Sequence, residues 1–332
     1  MKPTLAPSVP FLALIDLAAE RLGGRAIAAN DEFFAEKENL LKPGRGEFID
    51  GKYTDRGKWM DGWETRRRRT PGHDWCIIKL AFPGIVKGVD LDTNHFLGNN
   101  PSQASLDVCA CEGDPGPDAA WQEVIPKSVV QPGSHNYLPT EVEVRATHIR
   151  LNIFPDGGVA RLRVHGWSVP DPARFKKGEI IDLAAMENGG LSVACSDMFF
   201  SNMNNLLQPG RAINMGDGWE TKRRRGPGYD WVIVKLGRPG RIQRIEVDTN
   251  FFKGNYPDEC SIEACHMPAV MADIINVPPS KWTEILPRTK LQAHTQHLFE
   301  SELKQGGPYS HVRLNIYPDG GISRLRVWGD PE

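Results

Sequence analysis

Residues 150–166 read RLNIFPDGGVARLRVHG, and residues 313–329 read RLNIYPDGGISRLRVWG, identical at thirteen of seventeen positions. On either side of PDGG, apolar and charged residues alternate with period two, the pattern of a half-buried strand. Glycines in the turn supply positive φ without a steric penalty. The stretch therefore reads as a β-hairpin with Ile149, Leu151, Ile153, Leu162 and Val164 inward. Its outer face then carries Arg150, Asn152, Arg161, Arg163 and His165 together. The second copy offers Arg313, Asn315, Arg324 and Arg326, with Trp328 in place of the histidine.

A second stretch is also written twice. Residues 61–80, DGWETRRRRTPGHDWCIIKL, match residues 217–236, DGWETKRRRGPGYDWVIVKL, at fifteen of twenty positions. IDLAA at 15–19 returns at 181–185. Self-similarity at this spacing means one domain built twice. The expected boundaries are 11–168 for the first copy and 179–332 for the second, with the Pro-rich, charged segment 169–178 as linker. The offset between copies is 166 at IDLAA, 156 at Asp61 and 163 at Arg150. The first copy thus carries ten extra residues between Arg45 and Asp61, read as a surface loop. The second carries seven, around MADIINVPPS or after Leu291.

The other runs are also β-like. IVKGVDLDT (85–93) sets Val89, Leu91 and Thr93 on one face and Asp90, Asp92 and Asn94 on the other. Some seven or eight short strands per copy, with no long amphipathic helix, point to an all-β antiparallel sandwich or jelly roll. IDLAA and Phe34–Leu41 are expected as brief helical turns. Trp63, Trp75 and Trp121 match Trp219, Trp231 and Trp282, and read as core.

The bulk numbers exclude several classes. A length of 332 residues suits two domains of roughly 150 residues each. The net charge of −2 gives no global attraction to nucleic acid or an anionic membrane. RRRR is short and flanked by Glu64 and Asp74. No run reaches the roughly 20 apolar residues of a membrane span. The apolar stretch from Phe11 contains Asp16 and lacks a cationic lead, so no signal peptide is expected. Six cysteines form no CxxC pair, and Cys76 and Cys195 align with Val232 and Ala29. They read as packed hydrophobes in a reducing, cytoplasmic setting.

Candidate chemistry gathers in three places. The first is Asp61, Glu64 and Arg66–Arg69, with His73 and Asp74 just beyond. On an extended strand Arg67 and Arg69 share a face that Arg68 does not; a solvated, salt-bridged strand is the bland alternative. The second is Asp92, Asn94 and His95, whose alternative is an Asx turn. The third is Arg150, Asn152, Arg161 and Arg163, whose alternative is a charged outer sheet face. Asp156 in PDGG reads as a turn residue. Counterparts in the second copy are Asp217, Glu220, Arg223, Arg224, Arg225, Asp248, Asn250, Arg313, Asn315, Arg324 and Arg326. The histidines are not kept: His73, His95 and His165 align with Tyr229, Phe251 and Trp328. Either the first copy alone is catalytic, or the site uses carboxylates and arginines kept in both, or a cleft between copies or subunits is used.

DGWETRRRR, the stretches DTNHFLGNNP (92–101) and DTNFFKGNYP (248–257), and RLNIxPDGG together resemble the allantoicase family, from about Ile15 to Gly329 and with the duplication included. The resemblance implies two jelly-roll domains of the galactose-binding-like kind. It also implies assembly into a homo-oligomer, and hydrolysis of allantoate to ureidoglycolate and urea in purine degradation. The partners are then allantoate and water, with no nucleic acid and no membrane. Allantoate is a carboxylate whose α-carbon bears two ureido nitrogens. Its carboxylate suits the arginine fork, and expulsion of urea needs a proton donor. On that chemistry Asp61, Glu64, His73 and Asp92 are the acid–base candidates. Arg67, Arg68, Arg69, Asn94, Arg150, Asn152, Arg161 and Arg163 are the substrate-binding candidates. No cofactor is expected, since no metal-ligand spacing is diagnostic; a divalent ion on Asp92 or His95 is the alternative. The competing function is a non-enzymatic tandem jelly roll that binds carbohydrate or another ligand. A secreted lectin of that kind would carry a signal peptide and disulfides.

Overall fold

The long strand Asp74–Asp92 organises the first repeat in the computed structural model, which describes residues 9–176 and 178–332. Its first half pairs antiparallel with Arg25–Ala29 and Arg145–Phe154. Beyond Pro83–Gly84 it changes partners and pairs with Arg161–Ser168 and His135–Pro139. Gln103–Cys109 and Gln122–Val129 extend the sheet from Arg145–Phe154, and Ile15–Asp16 edges Arg161–Ser168. The repeat is thus a jelly-roll sandwich whose two sheets share one strand. The second repeat copies it with Asp230–Asp248 as the shared strand. The two compact units are Val9–Val169 and Pro170–Glu332.

Period-two alternation fills the core. Ile78, Val89, Leu91, Ile149, Leu151, Ile153, Leu162 and Val164 are all buried, as are Val234, Leu314, Ile316, Leu325 and Val327 in the second repeat. Burying each such side chain is worth about 1.5–3 kcal/mol.

PDGG does not close a hairpin. Arg145–Phe154 and Arg161–Ser168 flank different halves of the shared strand, so their outer faces are not common. The backbone of PDGG bonds elsewhere: Gly157 N donates to Thr65 Oγ1, and Gly158 N to the Asn99 carbonyl. The glycines serve close approach. A Cβ on Gly157 would lie 2.6 Å from Pro101 N, and one on Gly158 would lie 2.0 Å from the Phe96 ring. Gly320 and Gly321 meet Asn255 and Phe252 in the same way.

Other expectations are corrected. Residues 65–73, which carry the arginine run, are loop rather than strand. Ile15–Asp16 and Ile181–Asp182 are two-residue strands, not helical turns, whereas Lys37–Leu41 is a 3-10 helix. Trp63 and Trp219 are fully buried and Trp282 nearly so, but Trp75, Trp121 and Trp231 are only half-buried. The segment 46–60, which holds the ten extra residues, contains a ribbon of Tyr53–Thr54 with Gly57–Lys58. Between Cys265 and Thr283 the offset rises from 156 to 161, so five of the seven extra residues of the second copy lie there.

The aspartate of IDLAA ties the edge strand to the last strand. Asp16 Oδ1 accepts from Ala18 N and Val164 N, and Asp182 Oδ1 from Ala184 N and Val327 N at 3.1 and 2.9 Å. Burial pushes Asp182 up to about 6 from 3.8, against the pull of the Val327 N–H and Arg326. Between those values the folded state holds a proton that the unfolded chain releases. Stability is therefore lost as pH rises from about 4 to about 6, by on the order of 3 kcal/mol. Asp182→Asn keeps the Oδ1 acceptor and should flatten this slope, read as urea midpoints at pH 4 and 7.

Candidate active site

Three repeated motifs meet at one edge of each sandwich. Trp63–Glu64 pairs with Gly158–Val159, and the Trp63 indole donates to the Asp31 carbonyl at 2.8 Å. Thr65 N donates to the Gly157 carbonyl, and Gly158 N to the Asn99 carbonyl. GWET, the GN of the DTN motif and PDGG are therefore fixed to one another by backbone bonds. In the second repeat Trp219–Glu220 pairs with Gly321–Ile322, Thr221 N donates to Gly320 O, and Gly321 N to Asn255 O.

On this rim Glu64 is half-buried, and its Oε1 accepts from Asn99 Nδ2 at 2.7 Å. Glu220 accepts from Asn255 at 2.5 Å. Burial raises the pKa of both carboxyls, and the amide hydrogen bond only partly offsets it. No cation contributes to either shift. Both hold a proton more readily than an exposed glutamate does.

The arginines divide into fixed and free. Arg66 pairs with Asp31 at 2.6 Å. Arg68 donates its backbone N–H to Asp156 Oδ2 at 2.7 Å, and its guanidinium pairs with buried Asp74. Arg224 does the same with Asp319 and Asp230. Arg67, Arg69, Arg223 and Arg225 are exposed and make no ion pair or hydrogen bond among the described residues. The alternation expected along the run exists, imposed by local acids rather than by a strand. In the second repeat the rim encloses a cavity of about 560 Å³ lined by Glu220, Arg223, Arg224, Asn255, Tyr256 and Asp319, among others.

The remaining candidates lie elsewhere. Asp61 and Arg161 form a buried pair at 2.7 Å, mirrored by Asp217 and Arg324 at 2.8 Å. Burial would raise Asp61, but Arg161 and the Glu47 N–H outweigh it and hold the carboxyl below its usual range. Asp92 is buried and accepts from Arg45 at 3.0 Å and from Asn94 N at 2.9 Å; Asn94 in turn donates to the Gly46 carbonyl. Asp248 pairs with Arg211, and Asn250 donates to Ala212 O. This is the Asx turn, and His95 and Phe251 follow it at φ 67° and 69°.

Arg150 and Asn152 both donate to Asp107 on the face of the sheet, with the Arg150 guanidinium over Trp121. Arg313 and Asn315 do so with Glu263. Arg163 and Arg326 donate to loop carbonyls at Gly44 and Gly210. His73 packs on Phe154 with ring centroids 4.7 Å apart, as Tyr229 packs on Tyr317 at 5.0 Å.

Asn99 is absent from the sequence-based candidates, Asp74 stands beside the first cluster without a role, and Asp156 enters only as a turn residue. The signal that finds Asn99 is its return as Asn255 in the same GN pair, beside a repeated Glu.

These observations define a tandem jelly-roll protein in which each repeat presents a protonatable carboxyl and a carboxamide on one rim, joined in the second repeat by the unpaired guanidinium of Arg223. The family model described as the allantoicase repeat matches residues 15–169 and again 181–332. The chain belongs to the allantoicase family. It is 52% identical over 328 residues to a probable allantoicase of Pseudomonas aeruginosa, covering 98% of this chain and 99% of the relative. A probable allantoicase of Burkholderia mallei is 52% identical over 330 residues, with 98% of each chain covered. The crystal structure of allantoicase from Saccharomyces cerevisiae superposes with a TM-score of 0.78 at 36% identity, with 98% of each chain covered. No helix among the described residues is long and apolar enough to cross a membrane.

Proposed function

We propose that the chain hydrolyses allantoate to ureidoglycolate and urea, and that each repeat carries a working rim. Family membership over both repeats supports the reaction and disfavours a non-enzymatic ligand-binding module. One observation carries the site: a half-buried carboxyl held by a single amide in both copies, which in the second lines one cavity with the unpaired Arg223. Arg67 or Arg223 takes the substrate carboxylate. Glu64 or Glu220, protonated, gives its proton to the departing ureido nitrogen as the carbon–nitrogen bond breaks. The other ureido nitrogen supplies the electron pair and forms a C=N bond at the α-carbon. Water adds to that carbon, and the glutamate takes the proton back, so one carboxyl serves as acid and then as base. Asp61, Asp92, Arg150, Asn152 and Arg161 position loops in this reading and do not touch substrate.

The histidine differences between copies then carry no chemical weight. His73→Tyr, which copies the second repeat, should leave turnover unchanged; loss of urea release with an intact fold would restore that histidine to the chemistry. Six unpaired cysteines suit a reducing, cytoplasmic setting, and homo-oligomeric assembly belongs to the same family-based reading. The test is urea and ureidoglycolate measured in equal amounts from allantoate with purified protein. Intact substrate after prolonged incubation would overturn the reading.

A further inference from the structure

The outer face of the first repeat carries a polar row that the rim does not use. Ser105, Asp107 and Cys109 stand in register with Asn152, Arg150 and His148. The row ends at Cys109 and His148, which are 4% and 1% exposed. The strand ends at Cys109, and two residues on Cys111 Sγ comes 3.5 Å from His148 Nδ1. The ligand atoms of Cys109, Cys111 and His148 all lie within 4.8 Å of one another. The other ring nitrogen, Nε2, is buried without a hydrogen-bond partner, 3.9 Å from Asp114 Oδ1.

We propose that Cys109, Cys111 and His148 bind a thiophilic divalent cation, zinc by its donor set, which clips the loop 110–121 onto the sheet. Tetrahedral zinc with bonds of about 2.3 Å to sulfur and about 2.0–2.1 Å to nitrogen sets S and N about 3.5 Å apart. The Cys111–His148 separation matches that edge. Thr147 Oγ1 now lies 2.9 Å from Nδ1, but it also lies 3.4 and 3.3 Å from the carbonyls of Cys109 and Cys111. Its proton can turn to either carbonyl and free the Nδ1 lone pair. The Nε2 proton then points toward Asp114, the carboxylate partner that metal-bound imidazoles commonly have. Two thiolates would neutralise the dication, which suits a buried site, and water completes the fourth position.

The second repeat supplies the contrast. Cys265 and His311 keep the register, but Met267 stands where Cys111 does. There the strand end is capped by an apolar cluster of Cys265, Ile274 and Trp282, with Met267 and Val270 against it. The covering loop of the first repeat, CEGDPGPDAA, has no such plug. A cation would do in one copy what apolar packing does in the other.

Cobalt(II) titration of the purified, metal-stripped protein tests this. One equivalent should produce thiolate-to-cobalt charge-transfer absorption, displaced by one equivalent of zinc. Cys111→Met copies the second repeat and should abolish the band, with urea release from allantoate unchanged. Cys265→Ser should leave the band intact. If Cys111→Met does not fold, Cys111→Ser takes its place. No charge-transfer band in the unmodified protein, or a band that survives loss of Cys111, would overturn the site.

Discussion

Replacing both Glu64 and Glu220 by glutamine should lower kcat for allantoate by about 10²–10⁴-fold, the range for loss of one general acid–base group. Glutamine keeps the shape and still accepts the Asn99 or Asn255 hydrogen bond, so the rim stays assembled. What disappears is a transferable proton. KM should change little, because Arg67 and Arg223 still face the substrate carboxylate. Each single variant should keep about half the turnover if the two rims work independently. Near-normal turnover in the double variant, with an unchanged melting point, would remove the glutamates from the chemistry. The pH profile gives a second readout. Burial raises both carboxyls, and it is the protonated form that acts, so kcat/KM should fall as pH climbs through their pKa. The Asn99 bond lowers the Glu64 value. Asn99→Leu together with Asn255→Leu should therefore move that falling limb to higher pH.

The duplication is what made part of this site legible. Glu64 and Arg67–Arg69 stand out because they return in a second copy where neighbours drift, and Glu64, Glu220 and Arg223 sit on the rims the structure builds. Alternation by twos revealed the strands at 85–93, 148–154 and 161–167 and the core residues on them. It carries no information about which strand a strand meets, and so Asp74–Asp92 gave no sign that it serves two sheets in turn. PDGG looked like a hairpin because glycine marks turns; here Gly157 and Gly158 are needed because the GN loop and Phe96 press against them. On an extended strand the arginines of the run would alternate by face; in the folded loop they alternate instead in role. That role is set by Asp31 and Asp74, acids that reach it only in the folded chain. Asn99 meets Glu64 across 35 residues of sequence, a closure that no local pattern encodes.

Removing the carboxylate of Asp217 should destabilise the second repeat by about 3–5 kcal/mol, because it strands a buried charge. Arg324 is 2% exposed and Asp217 6%. The guanidinium also donates to the Gly210 and Asn205 carbonyls, so it bridges the 3-10 turn Met203–Leu207 and the segment leading into Trp219–Glu220. At about 2–4 °C per kcal/mol for a domain of this size, Asp217→Ala should melt roughly 10 °C early. A half-exposed pair such as Lys304–Glu284 sits in water and is worth at most about 1 kcal/mol, so Lys304→Ala should barely move the transition. Asp217→Leu with Arg324→Met should recover part of the loss, since no lone charge is left buried, though the carbonyls still lack their donor. The same logic applies to Asp61 and Arg161. It also separates two roles for these aspartates. If Asp217 only holds the rim in place, Asp217→Ala loses melting temperature while the first repeat still releases urea at low temperature. An Asp61→Ala, Asp217→Ala protein that melts with the unmodified chain yet turns over no allantoate would make the pair chemical rather than structural.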